Sequence, residues 1–333
     1  MTGNTLKILV AVFLFMPAES VLADGMFVAY DPIHETAQLA FIDHDDGVES
    51  LHILPMYEGQ ATEFAWIVPV PSLPTVEESG IQLFYDLANL TSPVYRHRDG
   101  FLDCQDMSYG VDVSGRNEVT VHESELVGIY ETMIISAVDA VALSDSLIAW
   151  GLLREESAED IQSALDSYVD RGWYFVTMKV SNEDPDPYDV WYGGVHPIEL
   201  TFASEDLIYP LEISRSSAAN VTELVLYVAA DHRMDFPGAE TAYANKLTAP
   251  ELTSIRQRHG VLGAQLVPGD FITKLTRTYS PVEMDTDIVL TVVSGDRELR
   301  EIIYSGWPIG MGILMLTAVV LKLPMVRRRF RSA

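Results

Sequence analysis

The hydrophobic pattern of this chain predicts more strands than helices. Ala37 to Ile42 and Ser50 to Leu54 flank the acidic turn Asp43-His44-Asp45-Asp46-Gly47, which predicts a β-hairpin with Asp-Gly at its tip. Phe64-Ala65-Trp66-Ile67-Val68 is an unbroken run of aromatic and β-branched side chains and predicts a buried strand. Pro69, Pro71 and Pro74 follow at once, each without the N–H that a central strand donates. The strand is therefore expected to end at Val68 and to leave its sheet in extended form. A polyproline II ligand would use the same residues. Such ligands sit in exposed, polar segments, whereas this one leaves an aromatic strand directly. Further strands are predicted over Tyr130–Ile135, Trp173–Val180, Ile198–Ala203, Thr222–Ala229, Phe271–Tyr279 and Ile288–Val293, and Val119–Val121 is strand-like.

Helical spacing is found in fewer places. Leu83, Phe84 and Leu87 share one face of a helix that Thr91-Ser92-Pro93 ends. Ala140 to Leu153 offers Leu143, Leu147, Ile148 and Trp150 for burial. Ser157 to Asp160 forms a capping-box pattern, and Ile161, Ala164, Leu165, Tyr168 and Val169 follow along one face before Gly172 stops the helix. A short helix is expected around Thr253–His259. Residues 94–117 have little periodicity and read as a long loop holding Cys104. The fold class is α+β: a β-rich ectodomain with a few amphipathic helices, divided into a β-rich unit over 24–115 and an α+β unit over 116–300.

The two ends change the picture. Lys7 precedes the apolar run Ile8–Met16, and Val21-Leu22-Ala23 offers small residues for cleavage before Asp24, so residues 1–23 read as a secretory signal peptide. At the other end, Trp307–Leu323 is apolar but for Lys322, and with Ile302, Ile303 and Tyr304 it approaches bilayer length. A transmembrane helix is therefore expected over 303–324. Arg327, Arg328, Arg329 and Arg331 put the tail, 325–333, in the cytoplasm. The chain is expected at the cell membrane, single-pass, with its N-terminal domain in the periplasm or at the cell surface.

Charge divides accordingly. The chain has 21 Lys and Arg against 49 Asp and Glu, of which 15 and 48 fall in residues 24–306. A body carrying about −33 repels nucleic acid, so no nucleic-acid partner is expected. Salt adaptation and divalent-cation binding both fit such acidity, and the scatter of the acids favours the first. With one cysteine, the exported domain has no internal disulfide.

Several blocks together resemble a known family. TEFAWIVPVPSLPTVEESGIQLFYDLANLTSP, VGIYETMIISAVDA, YVDRGWYFVTMKV and LTFASEDLIYPLEIS follow one another in an order similar to the uncharacterised family called domain of unknown function 2330. The resemblance implies an exported bacterial or archaeal protein, often with a C-terminal membrane helix, and it brings no catalytic residue. The mature start here is Asp24-Gly25-Met26, where many members begin with a cysteine and glycines.

Candidate chemistry is sparse. The turn at Asp43–Glu49 lacks EF-hand spacing and reads as a solvated hairpin tip. In Glu183-Asp184-Pro185-Asp186-Pro187-Tyr188-Asp189 the prolines pre-order a carboxylate loop, which makes Asp184, Asp186 and Asp189 the candidate metal ligands, for calcium. A solvated connection is the plainer reading, and no other cofactor is implied. Among the histidines, Asp231-His232 and Gly194-Val195-His196-Pro197 are the pairings that a cleft could use, and no catalytic motif is present. The sequence therefore leans toward a non-enzymatic, membrane-anchored module that binds an envelope protein, a glycan or a divalent ion. The alternative is an extracytoplasmic metal-dependent hydrolase using scattered residues such as Asp231 and His232.

Overall fold

Successive side chains of Phe64–Val70 point into two different cores, and both are apolar. Phe64, Trp66, Val68 and Val70 join one cluster, whereas Ala65 and Ile67 join another. Period-two alternation with both faces buried explains why this stretch reads as a continuous apolar run.

The computed structural model describes residues 26–29, 33–59, 64–97, 125–153, 155, 158–180, 196–218, 221–300 and 302–305. The chain begins with β1 (Met26–Ala29), β2 (Ile33–Asp45), β3 (Val48–Gly59), β4 (Phe64–Val70), β5 (Thr75–Glu78), α1 (Ile81–Leu90) and β6 (Val94–His97). It continues through β7 (Glu125–Val127), β8 (Tyr130–Ser136), α2 (Ala140–Ala149), α3 (Ala158–Asp170) and β9 (Tyr174–Val180). Next come β10 (Ile198–Ala203), β11 (Ile208–Tyr209), β12 (Thr222–Ala230), β13 (Met234–Asp235), β14 (Glu240–Lys246), α4 (Ala249–Arg258) and α5 (Gly260–Gln265). The described chain closes with β15 (Phe271–Tyr279), β16 (Ile288–Val289), β17 (Thr291–Val292), β18 (Leu299–Arg300) and β19 (Ile302–Ser305).

Two sheets dominate. The larger has the order β18-β14-β15-β12-β2-β3-β10-β5, and the smaller β1-β4-β9-β8-β7. All their pairings are antiparallel except that of β12 with β2. Both sheets draw strands from either side of residue 116, so the two sequence units meet in each of them.

The sheets face each other across an apolar core that includes Ile42, Ile53, Trp66, Met178, Leu226 and Leu275. The outer face of the small sheet is covered by Leu143 and Leu147 of α2 and by Ile161, Leu165 and Tyr168 of α3. The outer face of the large sheet, through Phe41, Tyr227 and Ile272, meets Leu83, Phe84 and Leu87 of α1, Leu252 and Ile255 of α4, and Leu262 of α5. The result is four layers, helix on sheet on sheet on helix, and the β-rich α+β class follows from it.

Local chemistry accounts for most boundaries. The hairpin of β2 and β3 closes through Asp46 and Gly47 at φ of 48° and 78°, the two positive values that a type I′ turn needs. The Asp139 side chain caps α2 by accepting from the Ala142 N–H at 2.7 Å. Gly172, at φ 72°, ends α3 where the spacing predicts.

Four expectations change. First, β4 does not stop at Val68: Pro69 and Val70 pair with Phe175 and Tyr174 of β9. Among the described residues β1 pairs only as far as Ile67, so beyond it β9 is the one described neighbour of β4, and an edge of that kind tolerates proline. Second, Trp150 is 46% exposed. It caps α2 just before the turn at Gly151, and Leu152 and Leu153 enter the core instead. Third, Val94–His97 is not loop but the strand β6, paired in parallel with β19. Fourth, Ile303, Tyr304 and Ser305, expected as the start of a membrane helix, lie in β19, because β6 supplies their ladder. Among the described residues no helix is long and apolar enough to cross a membrane, and residues 306–324 of the expected span lie outside them.

Candidate functional site

Asp184, Asp186, Asp189 and Cys104 lie outside the described residues. Asp231 and His232 are exposed, and the His232 ring meets Asp296 at 3.1 Å rather than a cluster of acids. Among the described residues no three His, Cys, Asp or Glu side chains come together in a way that would hold a metal ion.

The acidic turn divides its residues. Asp45 and Asp46 are solvated at the hairpin tip, as the sequence implies. Asp43 is half-buried on the helix side of the large sheet, and Glu49 is buried on its inner side. Register forces the inversion at the tip, for Val48 points out, 44% exposed, while Glu49 points in at 0%. The Glu49 Oε2 accepts the Ile208 N–H at 2.9 Å, and its Oε1 has no partner among the described residues. Burial pushes the Glu49 carboxyl up to about 8. Asp43 is raised to about 7 by burial first and then by the neighbouring charges of Asp270, Asp45 and Glu199.

Across the same outer face, β3, β10 and β5 bring three polar side chains into line. The buried His52 ring shares a hydrogen bond between Nδ1 and the Ser79 Oγ, 3.0 Å apart. On its other side Nε2 lies 3.8 Å from Glu199 Oε1. Phe41 stacks on the imidazole at 5.5 Å, and burial lowers the His52 pKa to about 4, so the ring is neutral. Ser79 sits between the end of β5 and the start of α1, a strand-to-helix junction. The order serine, histidine, carboxylate has the components of a nucleophilic triad. Two features oppose it: Ser79 is 4% exposed and His52 1%, so the hydroxyl is sealed from solvent, and the His52 Nε2 makes no hydrogen bond among the described residues. These residues are far apart in sequence, and only their pairing across strands β3, β10 and β5 brings them together, so no motif signals them.

A second polar site lies where α1, α4, β14 and β18 converge. A cavity of about 170 Å³ opens there, with Tyr243, Leu247 and Ile255 at its base and Arg258, Arg300 and Asn245 among its polar lining. Helix α4 begins with a capping box in which Thr248 and Glu251 bond reciprocally. Helix α5 is pressed against α4 so closely that a Cβ on Gly263 would meet the Arg256 Cα at 2.7 Å. The Arg256 guanidinium ties the pair by donating to the Gly263 and Leu266 carbonyls, each at 2.9 Å. His259, between the two helices, turns its ring to the buried Asp86 at 3.1 Å.

Comparison with known proteins adds the following. A family model described as "Uncharacterized protein conserved in bacteria (DUF2330)" matches residues 23–291. No curated protein matches the sequence. Among solved structures the chain is similar to the crystal structure of baculovirus P35, with a TM-score of 0.39 and 10% identity over 79% of this chain and 98% of that one. A likeness of that degree carries no argument about function.

Proposed function

From the premise that the chain belongs to the DUF2330 family of uncharacterised bacterial proteins, we propose that it is a membrane-anchored extracytoplasmic module that binds rather than catalyses. The observation that carries the reading is the C-terminal sequence: Trp307–Leu323 is apolar but for Lys322, and four arginines follow between 327 and 331. Strand β19 runs to Ser305, two residues before the apolar run begins at Trp307. The signal-like residues 1–23 support an acidic body outside the cell. An envelope protein or a glycan is the partner such a position favours, and the Asp184, Asp186 and Asp189 loop remains the place to seek calcium. Alkaline extraction of host membranes tests the anchor. The full chain stays in the pellet, and a chain ending at Ser305 is released. Release of the full chain would contradict it.

A second reading, an extracytoplasmic hydrolase, is favoured by one observation, the Ser79–His52–Glu199 row. It needs no metal, unlike the version built on Asp231 and His232. Labelling of native protein by a fluorophosphonate, lost in Ser79→Ala, is the outcome that would favour it. The sealed hydroxyl argues for no labelling until the protein unfolds.

A further inference from the structure

The cavity at α1, α4, β14 and β18 departs from the rest of the molecule in the sign of its charge. With 49 acidic residues against 21 Lys and Arg, an arginine of this chain has carboxylates in excess to pair with. Arg171 takes Asp287 and Glu212, and Arg277 takes Glu283. Arg258 and Arg300 form no ion pair within 4.0 Å among the described residues, yet both line this one cavity. Arg258 donates within its own helix, to the Ser254 carbonyl and Oγ. Arg300 is 5.9 Å from the Tyr243 ring centroid. The single carboxylate of the lining, Glu251, is engaged first by the Thr248 N–H at 2.9 Å and the Thr248 hydroxyl at 2.7 Å in the helix cap, with the Asn245 amide and the more distant Arg300 charge adding to its stabilisation. Two guanidinium groups therefore face the hollow against one committed acid.

We infer that this cavity binds a phosphate group. Guanidinium forks match the edges of a tetrahedral oxyanion, and two of them can hold one anion from opposite sides. The Asn89 amide adds a neutral donor, the Asn245 amide already donates to the Lys246 carbonyl at 3.1 Å, and Tyr243, Leu247 and Ile255 give the site a buried base. The position suggests the source. Arg300 stands seven places before Trp307, where the apolar run starts, and β19 between them is fixed to β6. That puts the cavity mouth within reach of lipid headgroups. The headgroup assignment rests on the anchored reading, whereas the phosphate site does not.

The test uses the full chain in maltoside micelles at fixed pH, followed by thermal unfolding. One arm compares sodium phosphate with sodium chloride at equal ionic strength. The other compares phosphatidylglycerol with phosphatidylcholine added to the micelles. A saturable rise in midpoint with phosphate and phosphatidylglycerol, absent with their controls, is expected, since a ligand bound only by the native state stabilises it. The double variant Arg258→Gln, Arg300→Gln is expected to bind at least about tenfold more weakly. Its midpoint without ligand should not change, because both side chains are exposed. A response to phosphate with none to phosphatidylglycerol keeps the site and contradicts the lipid source. No saturable response in either arm, or an undiminished one in the double variant, overturns the site. Phosphate binding that survives while the full chain is released by alkaline extraction would overturn the anchor alone.

Discussion

Glu49→Gln is expected to remove a large share of the loss of stability that the native protein suffers between pH 5 and pH 9. The Glu49 carboxyl is wholly buried, takes one hydrogen bond from the Ile208 N–H, and is raised from 4.5 to about 8. A group raised in the folded state binds its proton more tightly there than in the unfolded chain. Its contribution is complete below the unfolded value and is lost as pH climbs through the folded one. Asp43, raised to about 7, acts in the same direction. His52 acts in the other, because its pKa falls to about 4 in the fold and its cost appears only as pH drops below 6.5. Stability should therefore fall as pH rises above the range of His52. One proton over that interval contributes at most roughly 3–5 kcal/mol from Glu49. Glutamine keeps the acceptor for Ile208 and cannot ionise. Urea unfolding at pH 5, 7 and 9 gives the comparison: the wild type should weaken steadily and the variant much less. Parallel curves would show that Glu49 is not the buried acid responsible.

Asp287→Ala is expected to cost about 3 kcal/mol, because three partners converge on a carboxylate that is 4% exposed. Its Oδ1 accepts the Tyr168 hydroxyl at 2.5 Å and the Glu212 N–H at 3.0 Å, and its Oδ2 accepts Arg171 at 2.7 Å. Arg171 also lies 4.3 Å over the Tyr168 ring and 4.4 Å over the Trp173 ring. Burial, reinforced by the Asp287 charge, holds the Tyr168 hydroxyl well above its usual pKa, so it remains a donor. Alanine leaves the Tyr168 O–H and the Glu212 N–H without their acceptor and leaves Arg171 with Glu212 as its one carboxylate. For a chain of this size the melting midpoint should drop by roughly 6–12 °C. Asp287→Asn keeps an acceptor at Oδ1 and should lose about half as much. A midpoint within a degree of wild type for the alanine variant would mean that α3 is not held to the 281–287 segment by this network.

Much of the fold is legible from residue order, because period and turn chemistry agree. Asp46-Gly47 between two alternating segments forces the hairpin, and β10 and β15 run over the residues that their patterns mark. Local pattern cannot supply pairing between distant segments. Strands β6 and β19 are strands because of each other, across some two hundred residues. The same limit hides the candidate chemistry. The turn Asp43–Glu49 reads as a solvated tip, and register turns Glu49 inward while Val48 points out. Ser79, His52 and Glu199 carry no shared motif, and neither do Arg258 and Arg300. What the sequence does mark, the prolines after Val68 and the acidic turn, belongs to the scaffold.

An acidic fold that stands outside the cell on a C-terminal anchor, as proposed above, is tested most directly by its sidedness. In a Cys104→Ser background, Ser92→Cys reports on the exposed end of α1 and Ser332→Cys on the basic tail. A membrane-impermeant maleimide applied to intact spheroplasts should label the Ser92→Cys protein at once and the Ser332→Cys protein only after lysis. Labelling of the tail variant in intact spheroplasts, or protection of the α1 variant, would contradict the account.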